Sequence, residues 1–138
     1  SLGAANVIGR NELQEENARP MLATTYAHGV DTVGGNILSN VVKSLNYGGS
    51  VAICGLVASP AFQTTVLPFI LRGVNILGID SVELPIEEKT ANWGRLASDW
   101  KLDNLDNMTQ EIDLEGISTA VDTIFSGNVS GRTLVTHN

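Results

Sequence analysis

The stretch Val30-Asp31-Thr32-Val33-Gly34-Gly35 joins a β-branched run to a glycine pair and stands directly before a helical pattern. Glycine accepts the backbone angles that a tight turn from a strand into a helix requires. The apolar residues of Asn36–Leu45 then form two neighbouring rows at four-residue spacing, Ile37–Val41–Leu45 and Leu38–Val42. Next comes Val51-Ala52-Ile53-Cys54, an apolar run without alternation that predicts a strand buried on both faces. This order predicts a βαβ unit with parallel strands.

The same alternation of short β-branched runs and amphipathic stretches extends along the chain. We predict strands at Asn6–Ile8, Val30–Val33, Ser50–Cys54 and Val74–Asp80, and helices at Glu12–Thr24, Asn36–Leu45 and Val66–Leu71. The later part predicts a helix from Pro85 to about Trp100, a strand at Gln110–Leu114, a helix from about Glu115 to Phe125 and a closing strand. The pattern indicates an α/β fold whose parallel sheet is covered by helices on both faces.

Composition limits the possible partners and locations. The chain has 138 residues, an ordinary length for one domain, and a net charge of −7 with scattered cations, so we expect no nucleic-acid partner. Its apolar runs are all shorter than the roughly 18 residues that span a bilayer, so we expect no membrane partner. Because Ser1 opens the chain without a basic segment or apolar core of a leader, we expect a cytoplasmic protein.

A metal centre is not expected either. Cys54 is the single cysteine, which excludes an intrachain disulfide and a cysteine-based zinc site. His28 and His137 are far apart in sequence and lack carboxylates at ligand spacing. No base is placed by sequence to activate Cys54, so we do not expect it to be a nucleophile. The ordinary alternative for a free cysteine is a small buried apolar residue.

Ordered motifs along the whole chain resemble quinone-oxidoreductase-type medium-chain reductases, and in particular their acryloyl-CoA reductase subfamily. The motifs are Ser1–Ala4, Val30–Gly35, Tyr47–Leu56, Leu67–Val74, Leu77–Val82 and Gly131–Val135. The resemblance implies a partial Rossmann fold, a doubly wound parallel sheet that lacks its first two strands. Residues 1–84 would be the C-terminal part of the nucleotide-binding domain, and residues 85–138 would return toward a GroES-like catalytic domain.

The function that the resemblance implies is a zinc-independent, NADPH-dependent reduction of an activated carbon–carbon double bond in a small-molecule substrate. Acryloyl-CoA, an enone or a quinone would all fit. The sequence contains no G-x-G-x-x-G loop for a pyrophosphate, so we expect the chain alone to be inactive. The alternative is a non-catalytic oligomerising fragment that binds no nucleotide.

Missing strands would leave unpaired backbone groups. In the usual strand order, a gap would separate Asn6–Ile8 from Val30–Val33, and folded proteins pair or cover such edges. The chain is therefore expected either to exchange strands with another copy or to be clipped from a longer protein. The resemblance also implies a homodimer, in which the edge strand Val74–Asp80 pairs across a two-fold axis.

Candidate cofactor residues stand at the ends of the predicted strands. Cys54, Gly55 and Leu56 end one buried strand and Asp80 with Ser81 ends the next, at the edge where ligands bind in open parallel sheets. Asp80 and Ser81 fit the nicotinamide-side lining that the resemblance implies, or equally a capping pair that begins a loop.

Two arginines are further candidates for contact with the cofactor: Arg10 on its phosphate side, and Arg132 near either the 2′-phosphate or the nicotinamide side. The resemblance implies that Arg10 approaches the adenosine 2′-phosphate, which a guanidinium can bind in bidentate fashion, and that Arg132 contacts the cofactor with Asn128 as a weaker companion. Each arginine has an alternative as an ordinary surface residue. We assign no catalytic acid and no catalytic residue to this chain.

Overall fold

The computed structural model describes residues 3–137, which form two compact units. One unit is Ala4–Leu84, and the other contains Gly3 and the residues from Pro85 onward. Ser1 and Leu2, which begin the first family motif, lie outside the described residues. The assignment of residues 1–84 to a nucleotide-binding domain and of 85–138 to a segment returning toward a GroES-like domain stays a prediction.

The first unit contains a three-stranded parallel sheet in the order β1-β2-β3. Its elements are α1 (Asn11–Gln14), β1 (Tyr26–Asp31), α2 (Gly35–Lys43), β2 (Leu45–Ile53), α3 (Leu67–Arg72) and β3 (Asn75–Gly78). The predicted α/β class with parallel strands is confirmed, and both helices of the crossovers fall where their apolar rows predicted them.

The core lies between the sheet and the two crossover helices. Leu38 and Val42 from α2 pack against Leu45 and Val51 from β2, together with Val74. The opposite face carries Val30 and Leu77, which are 76% and 49% exposed. The prediction of a sheet covered on both faces is therefore wrong for the described residues. Two successive right-handed crossovers in one direction place both helices on the same face.

The segment before β1 is irregular, where a helix over Glu12–Thr24 was predicted. Only α1 is helical, and Asn40 and Lys43 on α2 bind carbonyl groups in its last turn and in the residues that follow it. Asn40 Nδ2 donates to the carbonyls of Leu13 and Glu15, both at 2.8 Å, and Lys43 Nζ donates to Asn17 at 2.6 Å. The helix prediction is wrong because α2 side chains replace the local hydrogen bonds that a longer helix would need.

The predicted strand Asn6–Ile8 is also wrong, because no strand among residues 3–137 pairs with these residues. The predicted gap beside Asn6–Ile8 is therefore absent from residues 3–137, but strand exchange at the outer edge of β1 stays a prediction. Within residues 3–137, β1 pairs only with β2, so its outer edge is open.

Arg72, the last residue of α3, ties three segments together. Its guanidinium donates to the carbonyls of Leu22 (2.7 Å), Lys43 (3.0 Å) and Leu45 (3.2 Å). It therefore satisfies carbonyl groups at the end of α2 and holds the chain that enters β1.

The second unit contains another parallel βαβ arrangement. Its elements are α4 (Ile86–Ala97), a short 3-10 helix (Asp106–Met108), β4 (Thr109–Ile112), α5 (Ile117–Phe125) and β5 (Arg132–Val135). Strands β4 and β5 pair in parallel. Among residues 3–137, no helix is both long enough and apolar enough to cross a membrane.

Candidate functional site

The carboxyl ends of β2 and β3 form one shared rim, which we define as Cys54–Leu56 and Ile79–Asp80. These residues, with Ile53 and Gly78, line a mainly apolar open cleft of about 480 Å³. The amide of Ile79 donates to the carbonyl of Ile53 at 3.0 Å, so the two strand ends are in direct register. The predicted meeting of these tips at one edge of the sheet is confirmed, and this edge is where open parallel sheets bind ligands.

The loop after β2 is fastened to the turn after β1. Cys54 donates its backbone N–H to the carbonyl of Asp31 at 3.0 Å. Further along the loop, Ala58 and Ser59 both donate to the carbonyl of Val33, at 2.8 and 3.5 Å. We call this turn, residues 32–34, the β1–α2 turn. The β1–α2 turn therefore supports the Cys54–Leu56 side of the rim.

Gly55 is required by this close approach. A Cβ atom at Gly55 would overlap the carbonyl of Thr32, which belongs to the β1–α2 turn. Gly55 was predicted from its position at a strand end as a cofactor residue, whereas the close contact that the structure shows is with Thr32. A cofactor role for Gly55 stays a prediction. The close contact with Thr32 is enough to explain why residue 55 is a glycine.

Asp80 organises the loop after β3. Its Oδ1 accepts hydrogen bonds from the backbone N–H groups of Val82 (2.8 Å) and Glu83 (3.1 Å). This is the capping role that the sequence left open. Asp80 also lines the cleft, so its capping role is compatible with the predicted role in lining the cofactor site. Ser81 is exposed and is not among the lining residues.

Cys54 is exposed, so the alternative that it is a small buried residue is wrong. Of the run Val51–Cys54 only Val51 is fully buried, because helices cover one face of the sheet and the cysteine lies beyond the strand. Its Sγ is 3.6 Å from the carbonyl oxygen of Asp31. The thiol therefore lies at the rim, and its rate of chemical modification can report on the conformation there.

None of the remaining candidates is among the residues that line the cleft. Arg10 is exposed at the start of α1 and does not line the cleft. Asn128 and Arg132 belong to the second unit, where Asn128 Nδ2 donates to Ser126 Oγ and Arg132 donates to the carbonyl of Gly131. The cofactor roles of all three residues stay predictions. Within residues 3–137 no group of three or more His, Cys, Asp or Glu side chains is placed to hold a metal ion.

The sequence indicates Asp31 as a structural residue that hydrogen-bonds a neighbouring helix end, and its bond from the N–H of Gly34 at the start of α2 agrees with this. Sequence reasoning missed the part that Asp31 and Thr32 have in building the rim. The available signal was an aspartate three residues before a glycine that begins a helix, which is typical of a side chain that accepts backbone N–H groups in a turn.

A strand-end cleft on a parallel α/β sheet is the class of site that nucleotide-dependent oxidoreductases use. The comparisons agree with this class. The chain is 40% identical, over all 138 of its residues, to acrylyl-CoA reductase AcuI of Ruegeria pomeroyi, of which it spans 42%. A scan of protein-family models gave no match.

Solved structures extend the comparison to the fold. The chain superposes on Bacillus subtilis YhfP with NAD bound at a TM-score of 0.90 and 38% identity, covering 98% of this chain and 41% of that protein. Against Escherichia coli YhdH with bound NADPH, the TM-score is 0.88 at 39% identity, covering 99% and 42%.

These matches, with 38% identity over 135 residues to the putative quinone oxidoreductase YhfP of Bacillus subtilis, confirm the resemblance to quinone-oxidoreductase-type medium-chain reductases and their acryloyl-CoA reductase subfamily. The chain is homologous to part of these proteins and spans less than half of their length.

Proposed function

We propose that this chain forms the nicotinamide side of the cofactor cleft in an NADPH-dependent reductase of activated carbon–carbon double bonds. The observation that carries the proposal is the shared apolar rim at the ends of β2 and β3. Support comes from relatives named as an acrylyl-CoA reductase and from a similar structure with bound NADPH. Acryloyl-CoA, an enone or a quinone is the proposed class of substrate.

The bound nicotinamide would supply a hydride to the β-carbon of an α,β-unsaturated carbonyl compound, and a proton would reach the α-carbon. The residues of this chain would bind and orient. Leu56 and Ile79 offer apolar surface to one face of a planar ring, and the backbone at Cys54 and Gly55 limits how deeply it enters. We assign no proton donor to this chain. We also propose that the reductase does not require zinc.

Activity is proposed for a protein that also carries a pyrophosphate-binding loop. The 138 residues contain no G-x-G-x-x-G sequence, so we expect this chain alone to bind nucleotide weakly and to turn over no substrate. A location in the cytoplasm remains part of the proposal.

The cofactor proposal predicts selective stabilisation of the chain by NADPH. In thermal unfolding with saturating nucleotide, we expect NADPH to raise the midpoint by about 5 °C, because ligand binding to the native state alone adds free energy to it. NADH should raise it less. Arg10→Ala should remove the difference between the nucleotides, whereas Arg19→Ala, another exposed arginine, should not.

No shift with either nucleotide would leave the alternative, a non-catalytic oligomerising module. That alternative has its own support in the open outer edge of β3, which pairs only with β2 among the described residues.

For either function we propose a homodimer formed through the outer edge of β3. Since Ile79 donates its N–H to β2, alternation places the N–H of Gly78 on the outer edge. Gly78→Pro removes that donor and should halve the mass measured by light scattering, from twice 14.6 kDa to 14.6 kDa. Gly78→Ala keeps the N–H and should remain dimeric. A monomeric wild-type chain would contradict the proposal.

A further inference from the structure

Asp31 is a buried carboxylate, 5% exposed, at the end of β1. Its Oδ2 accepts hydrogen bonds from the backbone N–H of Gly34 at 2.7 Å and from that of Val33 at 3.2 Å. Both donors belong to the β1–α2 turn, so this one side chain binds two of the three amides in that turn.

The β1–α2 turn itself contacts the loop that forms the rim. The carbonyl of Val33 receives the amides of Ala58 and Ser59, and the carbonyl of Thr32 lies against Gly55 where a Cβ would not fit. The backbone of Asp31 itself receives the amide of Cys54. The contacts therefore run without interruption from the Asp31 carboxylate, through the turn, to Cys54–Leu56.

We propose that Asp31 is a positioning residue, whose carboxylate sets the conformation of the rim at Cys54–Leu56 through the β1–α2 turn. Asp31 itself does not line the cleft. Its effect on nucleotide binding rests on the proposed function, but its effect on the rim does not. The two can be measured separately.

The single thiol gives a readout that needs no nucleotide. In Asp31→Asn and Asp31→Ala, we expect the rate at which a disulfide reagent modifies Cys54 to change about tenfold, as the loss of strong hydrogen bonds would allow. The matched control is Asp113→Ala. Asp113 Oδ1 likewise accepts the N–H of Gly116 at the start of a helix, at 2.8 Å, but in the second unit. This control should leave the Cys54 rate unchanged.

The urea dependence of the Cys54 modification rate distinguishes a positioning role of Asp31 from a merely stabilising one. Modification through global unfolding accelerates with urea, whereas a local change at the rim is nearly independent of it at low concentration. We expect the second behaviour in both Asp31 variants. A rate equal to wild type, or one that follows global unfolding in both variants, would overturn the proposal.

If Asp31→Ala does not fold, Asp31→Asn still gives the test, because the amide keeps one oxygen acceptor of similar size. Gly55→Ala supplies a second route, since it should displace the rim from Thr32 and change the Cys54 rate while Asp31 is intact. An unchanged rate in Gly55→Ala would contradict the coupling of turn and rim.

Nucleotide enters in a separate arm. NADPH should slow modification of wild-type Cys54, and its dissociation constant should rise about tenfold in Asp31→Asn, which corresponds to about 1.4 kcal/mol. Failure of NADPH to protect wild-type Cys54 would count against the proposed function alone. If Asp31→Asn changes the Cys54 rate but binds NADPH with the wild-type dissociation constant, the conformation of the rim does not affect nucleotide binding.

Discussion

Replacing Gly34 by alanine should unfold or strongly destabilise the first unit, by about 3 kcal/mol or more. Gly34 has φ 72° and ψ −156°, a region that is essentially restricted to glycine. In addition, a Cβ atom there would overlap the carbonyl oxygen of Ser59. Backbone strain and overlap would both act at the contact that fastens the loop after β2 to the β1–α2 turn. Chemical denaturation monitored by circular dichroism measures the loss.

Gly48→Ala is the matched control for Gly34→Ala. Gly48 also has a positive φ, 69°, but a Cβ atom there would meet no heavy atom within 4 Å. Only the backbone cost of roughly 1–2 kcal/mol should appear. Equal destabilisation by the two substitutions would show that the contact with Ser59 contributes nothing.

The second large effect is expected for Arg72→Ala, which should lower the free energy of unfolding by roughly 3 kcal/mol. The substitution leaves the carbonyls of Leu22, Lys43 and Leu45 without the donor that now serves all three. Arg72→Lys should recover part of the loss, because an ammonium group cannot reproduce the planar fork of a guanidinium. Urea unfolding of the three proteins provides the measurement.

Arg19→Ala is the control for Arg72→Ala, because Arg19 is an exposed arginine in the same unit. It should change the free energy of unfolding by less than about 0.5 kcal/mol. If Arg72→Ala were as mild as this control, water would have to replace the guanidinium at little cost, and the proposed tie between the three segments would be wrong.

Local pattern was sufficient to predict the central helix and the shared edge of the sheet. The rows of apolar residues that include Leu38 and Val42 gave α2, and Gly34-Gly35 gave its start. Parallel strands end at one edge, so the meeting of Cys54 with Asp80 followed from strand order alone.

Features that depend on distant partners could not be predicted in this way. The stretch after α1 is irregular because Asn40 and Lys43, more than twenty residues away in sequence, bind the carbonyl groups of Glu15 and Asn17. Asn6–Ile8 is not a strand because a β-branched run needs a neighbouring strand to pair with. Cys54 is exposed because only one face of the sheet is covered, which its own apolar run does not reveal.

The double fastening of the loop after β2, by the amides of Ala58 and Ser59 on the single carbonyl of Val33, has a thermodynamic consequence. A loop held in this way has already lost most of its conformational freedom when the protein folds. A ligand that arrives at this edge would therefore find a preorganised surface, and little of its binding free energy would be spent on ordering the backbone.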